Sequence, residues 1–248
     1  MTYECPNERL KDFVTNIKLY FNQKENQVIY DKRNIIKVVK FEGKKYVVKS
    51  FKTPHLLNQV VYRFFRDSKA KRSFENSIQL RRLEIHTPEP VGYIEFPTRF
   101  KFKESFYISD FFEFDFEIRA VFRDENFEDR DNILKQFIEY THKLHKKNIY
   151  HIDYSPGNIL VRKIGSTYLF SIIDVNRMKF LPLNSHLQMK SISKLTSNRE
   201  DIEFMVRYYA KISNKNGDEL SSILNSYLQK QQTYLNRKKI LKKVKGKK

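Results

Sequence analysis

Cysteine is almost missing: Cys5 is the only one in 248 residues. A disulfide framework and a multi-cysteine zinc site are therefore excluded within the chain, and a reducing compartment suits it. No apolar run approaches the roughly 20 residues that a membrane-spanning helix needs. Met1 to Leu10 carries Glu4, Glu8 and Arg9 and no apolar signal core, so the expectation is a soluble cytoplasmic protein. Glycine is scarce too, with six in all and none in a G-x-G-x-x-G pattern. Acidic side chains are outnumbered by basic ones, 29 against 48, for a net charge of +19. Such a chain seeks anionic partners, which leaves nucleic acid, phosphorylated small molecules and an anionic membrane surface. What is abundant is aromatic: 15 Tyr and 21 Phe. That much apolar surface excludes global disorder, and the length suits one large domain or two small lobes.

The charge is unevenly placed. From Leu220 to Lys248 there are nine Lys or Arg and no acid, and eight of the nine fall between Arg237 and Lys248. A solvated chain end looks like this. So does an electrostatic anchor, since each basic residue near an anionic leaflet contributes roughly 1 kcal/mol. A second basic cluster, Arg63, Arg66, Lys69, Lys71 and Arg72, is either a solvated face or a surface for an anionic substrate or nucleotide.

Apolar spacing predicts a helix over Asn7 to Phe21, through Leu10, Phe13, Val14, Ile17 and Tyr20. β-rich runs follow at Val28–Tyr30, Ile35–Phe41 and Tyr46–Phe51, with a turn at Glu42-Gly43-Lys44. A short helix is expected over Pro54 to Tyr62 and a longer one over Ser68 to Leu83, stopped by Thr87-Pro88-Glu89-Pro90. Two more strands fit Val91–Phe96 and Phe102–Asp110. Phe111 to Phe116 reads as an acidic aromatic linker. Arg130 to Lys147 is a strong helix burying Ile133, Leu134, Phe137, Ile138, Thr141 and Leu144, and strands fit Ile159–Arg162 and Tyr168–Ile173. Helices over Arg199 to Ile212 and Asp218 to about Tyr234 complete an α+β chain. Its divisions are an N-terminal helix (1–24), a strand-rich lobe (25–112), a helical lobe (113–234) and a basic tail (235–248).

The stretch His151-Ile152-Asp153-Tyr154-Ser155-Pro156-Gly157-Asn158-Ile159-Leu160 carries chemistry. It sets Asp153 and Asn158 five residues apart on a tight loop after a helix. Asp174 ends an apolar strand sixteen residues later, a costly place for a carboxylate unless a cation meets it. Asn158 and Asp174 offer the oxygen ligands that Mg²⁺ accepts, which leaves Asp153 to accept a proton. H-x-D-x-x-x-x-N followed by a strand-end Asp is the pattern of a kinase catalytic loop and its metal-binding Asp. Upstream, Lys49 in the third strand fits a lysine for the α- and β-phosphates, and Glu75 in the next helix fits its ion partner. Alone, Lys49 could equally face solvent, and Glu75 could pair with Arg72 or Arg82 on its own helix. His142 and His145 read as helix residues rather than metal ligands, and His151 as a brace inside the loop.

On Lys49, Ser73-Phe74-Glu75, Thr87-Pro88-Glu89-Pro90, His151 to Leu160 and Ile173-Asp174-Val175-Asn176-Arg177, the chain resembles the lipopolysaccharide core kinases, the Kdo/heptose kinase family. The resemblance spans roughly residues 25–210. It implies a two-lobed protein-kinase-like fold with a strand-rich N-lobe and a shortened helical C-lobe. It also implies ATP and Mg²⁺, and phosphorylation of a Kdo or heptose of the inner core attached to lipid A, at the inner face of the inner membrane. Lys49 and Glu75 would then serve the nucleotide, Asn158 and Asp174 the metal, and Asp153 the acceptor hydroxyl. The Asp31-Lys32-Arg33-Asn34 turn replaces the glycine-rich loop, so Arg33 is a candidate phosphate contact. Ile152 stands where protein kinases carry Arg, and Asp174-Val175-Asn176 replaces Asp-Phe-Gly. With 74 residues after Asp174, a peptide-docking lobe is not expected. Competing readings are a RIO-type protein kinase, an antibiotic or choline phosphotransferase, and a catalytically silent kinase-like binder of lipopolysaccharide or nucleic acid.

Overall fold

The computed structural model describes residues 1–32, 34–51, 67–97 and 102–245. The chain forms two compact units, one of residues 1–113 with 171–177, the other of residues 114–170 with 178–248. The candidate phosphate contact Arg33, the helix expected over Pro54 to Tyr62, and Arg63 and Arg66 of the basic cluster lie outside the described residues.

The first unit is built on a six-stranded antiparallel sheet in the order β1-β5-β6-β4-β3-β2. Its strands are β1 (Thr2–Glu4), β2 (Gln27–Asp31), β3 (Asn34–Phe41), β4 (Lys44–Phe51), β5 (Pro90–Pro97) and β6 (Phe102–Asp110). β3 and β4 are joined by the two-residue turn Glu42-Gly43, both at positive φ (47° and 76°). This is the turn whose twist matches an antiparallel hairpin, and glycine adopts its second position without steric cost. The helix expected over Asn7 to Phe21 is instead a 3₁₀ turn, then α1 (Lys11–Thr15) and α2 (Ile17–Phe21), interrupted at Asn16. Its apolar residues are nonetheless buried as the spacing requires. Phe13, Val14, Ile17 and Phe21 pack on one face of the sheet against Val39, Tyr46, Val48, Ile94, Phe106 and Ile108. The opposite face takes α3 (Lys69–Arg82), which buries Ala70 and Phe74 against Phe51 and Tyr93. Ser68 caps α3 by accepting from the Lys71 backbone N–H.

The second unit is mainly helical. Its helices are α4 (Ile118–Arg123), α5 (Arg130–Lys146), α6 (Ser185–Ile192), α7 (Arg199–Ser213) and α8 (Gly217–Lys245). α5 buries all six residues its periodicity marks, and His145 besides. Short strands flank it: β7 (Phe116–Glu117), β8 (Ile149–His151), β9 (Ile159–Ile164), β10 (Thr167–Ile172) and β11 (Met178–Phe180). β10, β9 and β7 form one small sheet, and β8 with β11 another. The basic segment is no separate tail: α8 runs unbroken through Tyr234 to Lys245. Its first half is anchored by the buried Leu220 and Leu224, whereas Gln232 to Ile240 are all exposed. Among the described residues no helix is long and apolar enough to cross a membrane.

Candidate active site

In the first unit, strand alternation decides where Lys49 points. Val48 enters the core, so Lys49 shares the other face with Phe51, toward α3. It is opposite Ile36 on β3 and Tyr107 on β6. The Tyr107 hydroxyl hydrogen-bonds Ser77 of α3 at 2.8 Å, and burial pushes its pKa up. Only 11 % of the Lys49 side chain is exposed, and its ammonium donates to Asp174 Oδ1 at 2.5 Å.

Asp174 is brought there by the end of β10. The Ile172 N–H donates to the His86 carbonyl (3.0 Å) and the Thr87 hydroxyl donates to the Ile172 carbonyl (2.7 Å). Asp174 itself has φ +57°, the left-handed region. That conformation costs an L-residue roughly 1–2 kcal/mol, less for Asp, whose side chain bonds locally. Asn176 donates to Asp174 Oδ1 at 2.6 Å, and Asn76 of α3 donates to the Val175 carbonyl at 2.7 Å. Two asparagines thus hold a strained backbone around one carboxylate, an arrangement that collects at functional sites.

Glu75 does not pair with Lys49 as its position suggested. It is 48 % exposed and lies 3.7 Å from Lys71, one turn earlier on α3. Lys71 also donates to Asp67 at 2.8 Å. The physical reason is proximity: the helical i, i+4 partner is at hand, while Asp174 meets Lys49.

In the second unit, the loop after β8 is fixed from within. His151 is buried, and its Nδ1 accepts the Asp153 backbone N–H at 3.0 Å. The Asn158 side-chain amide donates to the Asp153 carbonyl at 2.9 Å. Tyr154 is fully buried, with its hydroxyl 2.8 Å from that of Thr141. The expected brace is therefore His151, with Tyr154 as a second pin. Because Nδ1 accepts, a neutral His151 carries its proton on Nε2. At Gly157, a Cβ would lie 1.5 Å from Arg119 Nη2 of α4, so glycine is what lets a guanidinium rest on the loop. Lys194 donates to the Ile152 carbonyl, just before Asp153.

His142 and His145 are helix residues. His145 Nδ1 lies 2.9 Å from the Tyr209 hydroxyl, and burial, with repulsion from His142 and Lys215, pushes its pKa down to about 3. Among the described residues no group of three or more His, Cys, Asp or Glu is placed to hold a metal. A magnesium site needs no such group, because Mg²⁺ keeps waters and substrate phosphates beside one or two protein oxygens. The Asp174 carboxylate and the Asn158 amide oxygen are donors of that kind. Asn176, part of the Asp174-Val175-Asn176 stretch that stands for Asp-Phe-Gly, bonds its neighbouring carboxylate, whereas Asn76, Arg119 and Lys194 meet their partners only through the fold.

A model of the lipopolysaccharide kinase (Kdo/WaaP) family matches residues 23–215. The chain belongs to this family. Membership makes it a phosphotransferase of the lipopolysaccharide kinase class, with ATP as the implied donor. A solved structure described as "WaaP in complex with acyl carrier protein" is similar over 95 % of this chain and 99 % of that one, with a TM-score of 0.63 at 12 % identity. That likeness shows the fold, which is kinase-like with a strand-rich antiparallel sheet. No curated protein matches the chain in sequence.

Proposed function

We propose that this chain transfers the γ-phosphoryl group of ATP to a hydroxyl of Kdo or heptose in the inner core attached to lipid A. The family match supports the class of acceptor. The observation that carries the chemistry is the ion pair of Lys49 with Asp174, which sets a β4 ammonium beside the carboxylate that follows β10, the two charges a kinase uses against phosphates and metal.

Lys49 orients the α- and β-phosphates. Glu75 is its partner in the nucleotide complex, reached by giving up the 3.7 Å contact with Lys71, a pair worth only about 0.3–0.5 kcal/mol. Asn158 and Asp174 would hold Mg²⁺, which when bound neutralises phosphate charge. Asp153, pinned through its own N–H and carbonyl, accepts the hydrogen bond of the sugar hydroxyl and takes its proton as the new P–O bond forms. Catalysis is then positioning and charge neutralisation.

The setting is the inner face of the inner membrane, with α8 as the attachment. Arg237, Lys238 and Lys239 are exposed on this helix, so its attraction to an anionic leaflet would be electrostatic. A carrier protein, the companion of the solved neighbour, is the competing occupant of that helix.

Mass spectrometry of lipopolysaccharide from cells with and without an active copy tests the reading. One additional phosphate on the inner core supports it. Unchanged core glycolipid, with label from ATP entering protein instead, would assign the chain to RIO-type chemistry.

A further inference from the structure

The loop from His151 to Leu160 contains no Lys or Arg, and Asp153 makes it acidic. A glycolipid bearing carboxylates and phosphates is repelled by such a loop unless a cation reaches it from elsewhere. The fold supplies Arg119. β7 pairs Glu117 with Leu160, where the loop ends, and α4 starts at the next residue. Arg119, the second residue of α4, lies back over the loop, where a Cβ at the buried Gly157 would overlap Nη2 and Cζ of the guanidinium. Gly157 follows Asp153 closely enough that their Cα atoms are at most about 14 Å apart. The hydrogen bond from the Asn158 amide to the Asp153 carbonyl, at 2.9 Å, folds that path shorter.

Gly157 backs the guanidinium without binding its charge. Among the described residues its one ion pair is with Glu117, Nε to Oε2 at 3.6 Å, with 44 % and 39 % of the two side chains exposed. Solvent screens a pair of that kind. Beyond it, Nη1 and Nη2 make no hydrogen bond among the described residues. Such a fork matches a carboxylate or a phosphate through two parallel bonds. The proposed function gives the nucleotide's phosphates Lys49 and a metal, but gives the anionic groups of the acceptor no cation.

We propose that Arg119 binds the acceptor: its guanidinium takes a carboxylate or phosphate of the core glycolipid while a nearby hydroxyl of that glycolipid faces Asp153. The inference rests on the kinase reading of Asp153. Arg119 stays protonated and makes no covalent bond. It holds the hydroxyl in register with the Asp153 carboxylate and offsets the repulsion between that carboxylate and an anionic substrate. Gly157 makes the seat, since any side chain there would push the fork off the loop. An acceptor stripped of the anion that Arg119 holds is therefore the poorer ligand.

The test compares the full chain with Arg119→Gln, which keeps hydrogen-bond donors but removes the charge. The probe is deacylated core glycolipid, which is water-soluble and keeps its sugar carboxylates and phosphates. Calorimetry gives the affinity of each protein for the probe and for ATP. The expected result is probe affinity at least tenfold lower for Arg119→Gln, with ATP affinity within threefold of the parent. Two altered probes identify the anion, one with its carboxylates reduced to alcohols and one with its phosphates removed. One of them should cost the parent at least tenfold and Arg119→Gln less than threefold. Three results would overturn the proposal: Arg119→Gln binding the probe within threefold of the parent, ATP affinity falling in step with probe affinity, or neither altered probe weakening the parent. The last needs no variant, so it holds even if Arg119→Gln fails to fold. A parent that binds the probe but transfers no labelled phosphate to it from ATP refutes the kinase reading alone, because the affinities still decide the role of Arg119.

Discussion

Lys49 and Asp174 stand 125 positions apart in the chain and meet at 2.5 Å. One comes from the middle of a sheet strand and the other from a backbone held at positive φ by two asparagines. Together they bring an ammonium and a carboxylate into contact.

If the two act as a unit on the nucleotide, their losses do not add. Lys49→Ala should raise the ATP KM by roughly tenfold or more, equivalent to about 1.4 kcal/mol of binding. Asp174→Asn should remove most of kcat, and the double variant should be little worse than Asp174→Asn. Steady-state rates across ATP and Mg²⁺ concentrations check this; multiplicative losses would show two independent roles.

His145 gives a stability signature with a definite sign. Burial pushes its pKa down to about 3, whereas an unfolded imidazole titrates near 6.5. Below pH 6.5 the unfolded chain binds a proton that the folded chain refuses. This contribution is therefore complete above pH 6.5 and is lost toward pH 3, by up to about 1.4 kcal/mol per pH unit. His145→Gln should be less stable than the parent at pH 7.5 but should lose less between pH 7.5 and 5, as read from urea midpoints.

Arg130 at the start of α5 pairs with Asp201 in the first turn of α7, and Asp201 is only 3 % exposed. Removing one partner strands a buried charge, at a cost of about 3–5 kcal/mol. Arg130→Leu should lower the urea midpoint accordingly, and adding Asp201→Leu should recover much of the loss. A double variant no better than the single would show that the charge itself was not the cost.

A chain ending at Asn236 removes Arg237 to Lys248 and eight positive charges. It should sediment with anionic vesicles far less than the full chain, while its hydrolysis of ATP in solution is unchanged. Equal sedimentation would remove α8 from the membrane, and vesicle binding that an acidic carrier protein displaces would favour that partner.

Much of this was legible in the sequence, for reasons that particular residues show. α5 keeps its helical period over four turns, and β6 has the bounds its apolar run predicts, because local pattern and packing agree there. β1, β8 and β11 are three residues each and exist only through pairing with distant strands. α6 has one local signal, Asn184, which caps it by accepting from the Leu187 N–H, and eight residues show too little periodicity to mark it. α8 runs past Tyr234 because no Gly or Pro falls between Gly217 and Gly246. In the site, the loop around Asp153 was visible as a spacing. The choice of Asp174 over Glu75 by Lys49 was not, because it depends on where β10 ends against His86 and Thr87.

Asp153 offers the most direct test of the central claim. Purified Asp153→Ala and parent protein are compared for ATP binding and for transfer of labelled phosphate to lipid A-linked core sugar. The expected result is transfer by the parent, none by the variant, and ATP affinity within about threefold. Near-full transfer by Asp153→Ala would contradict the account.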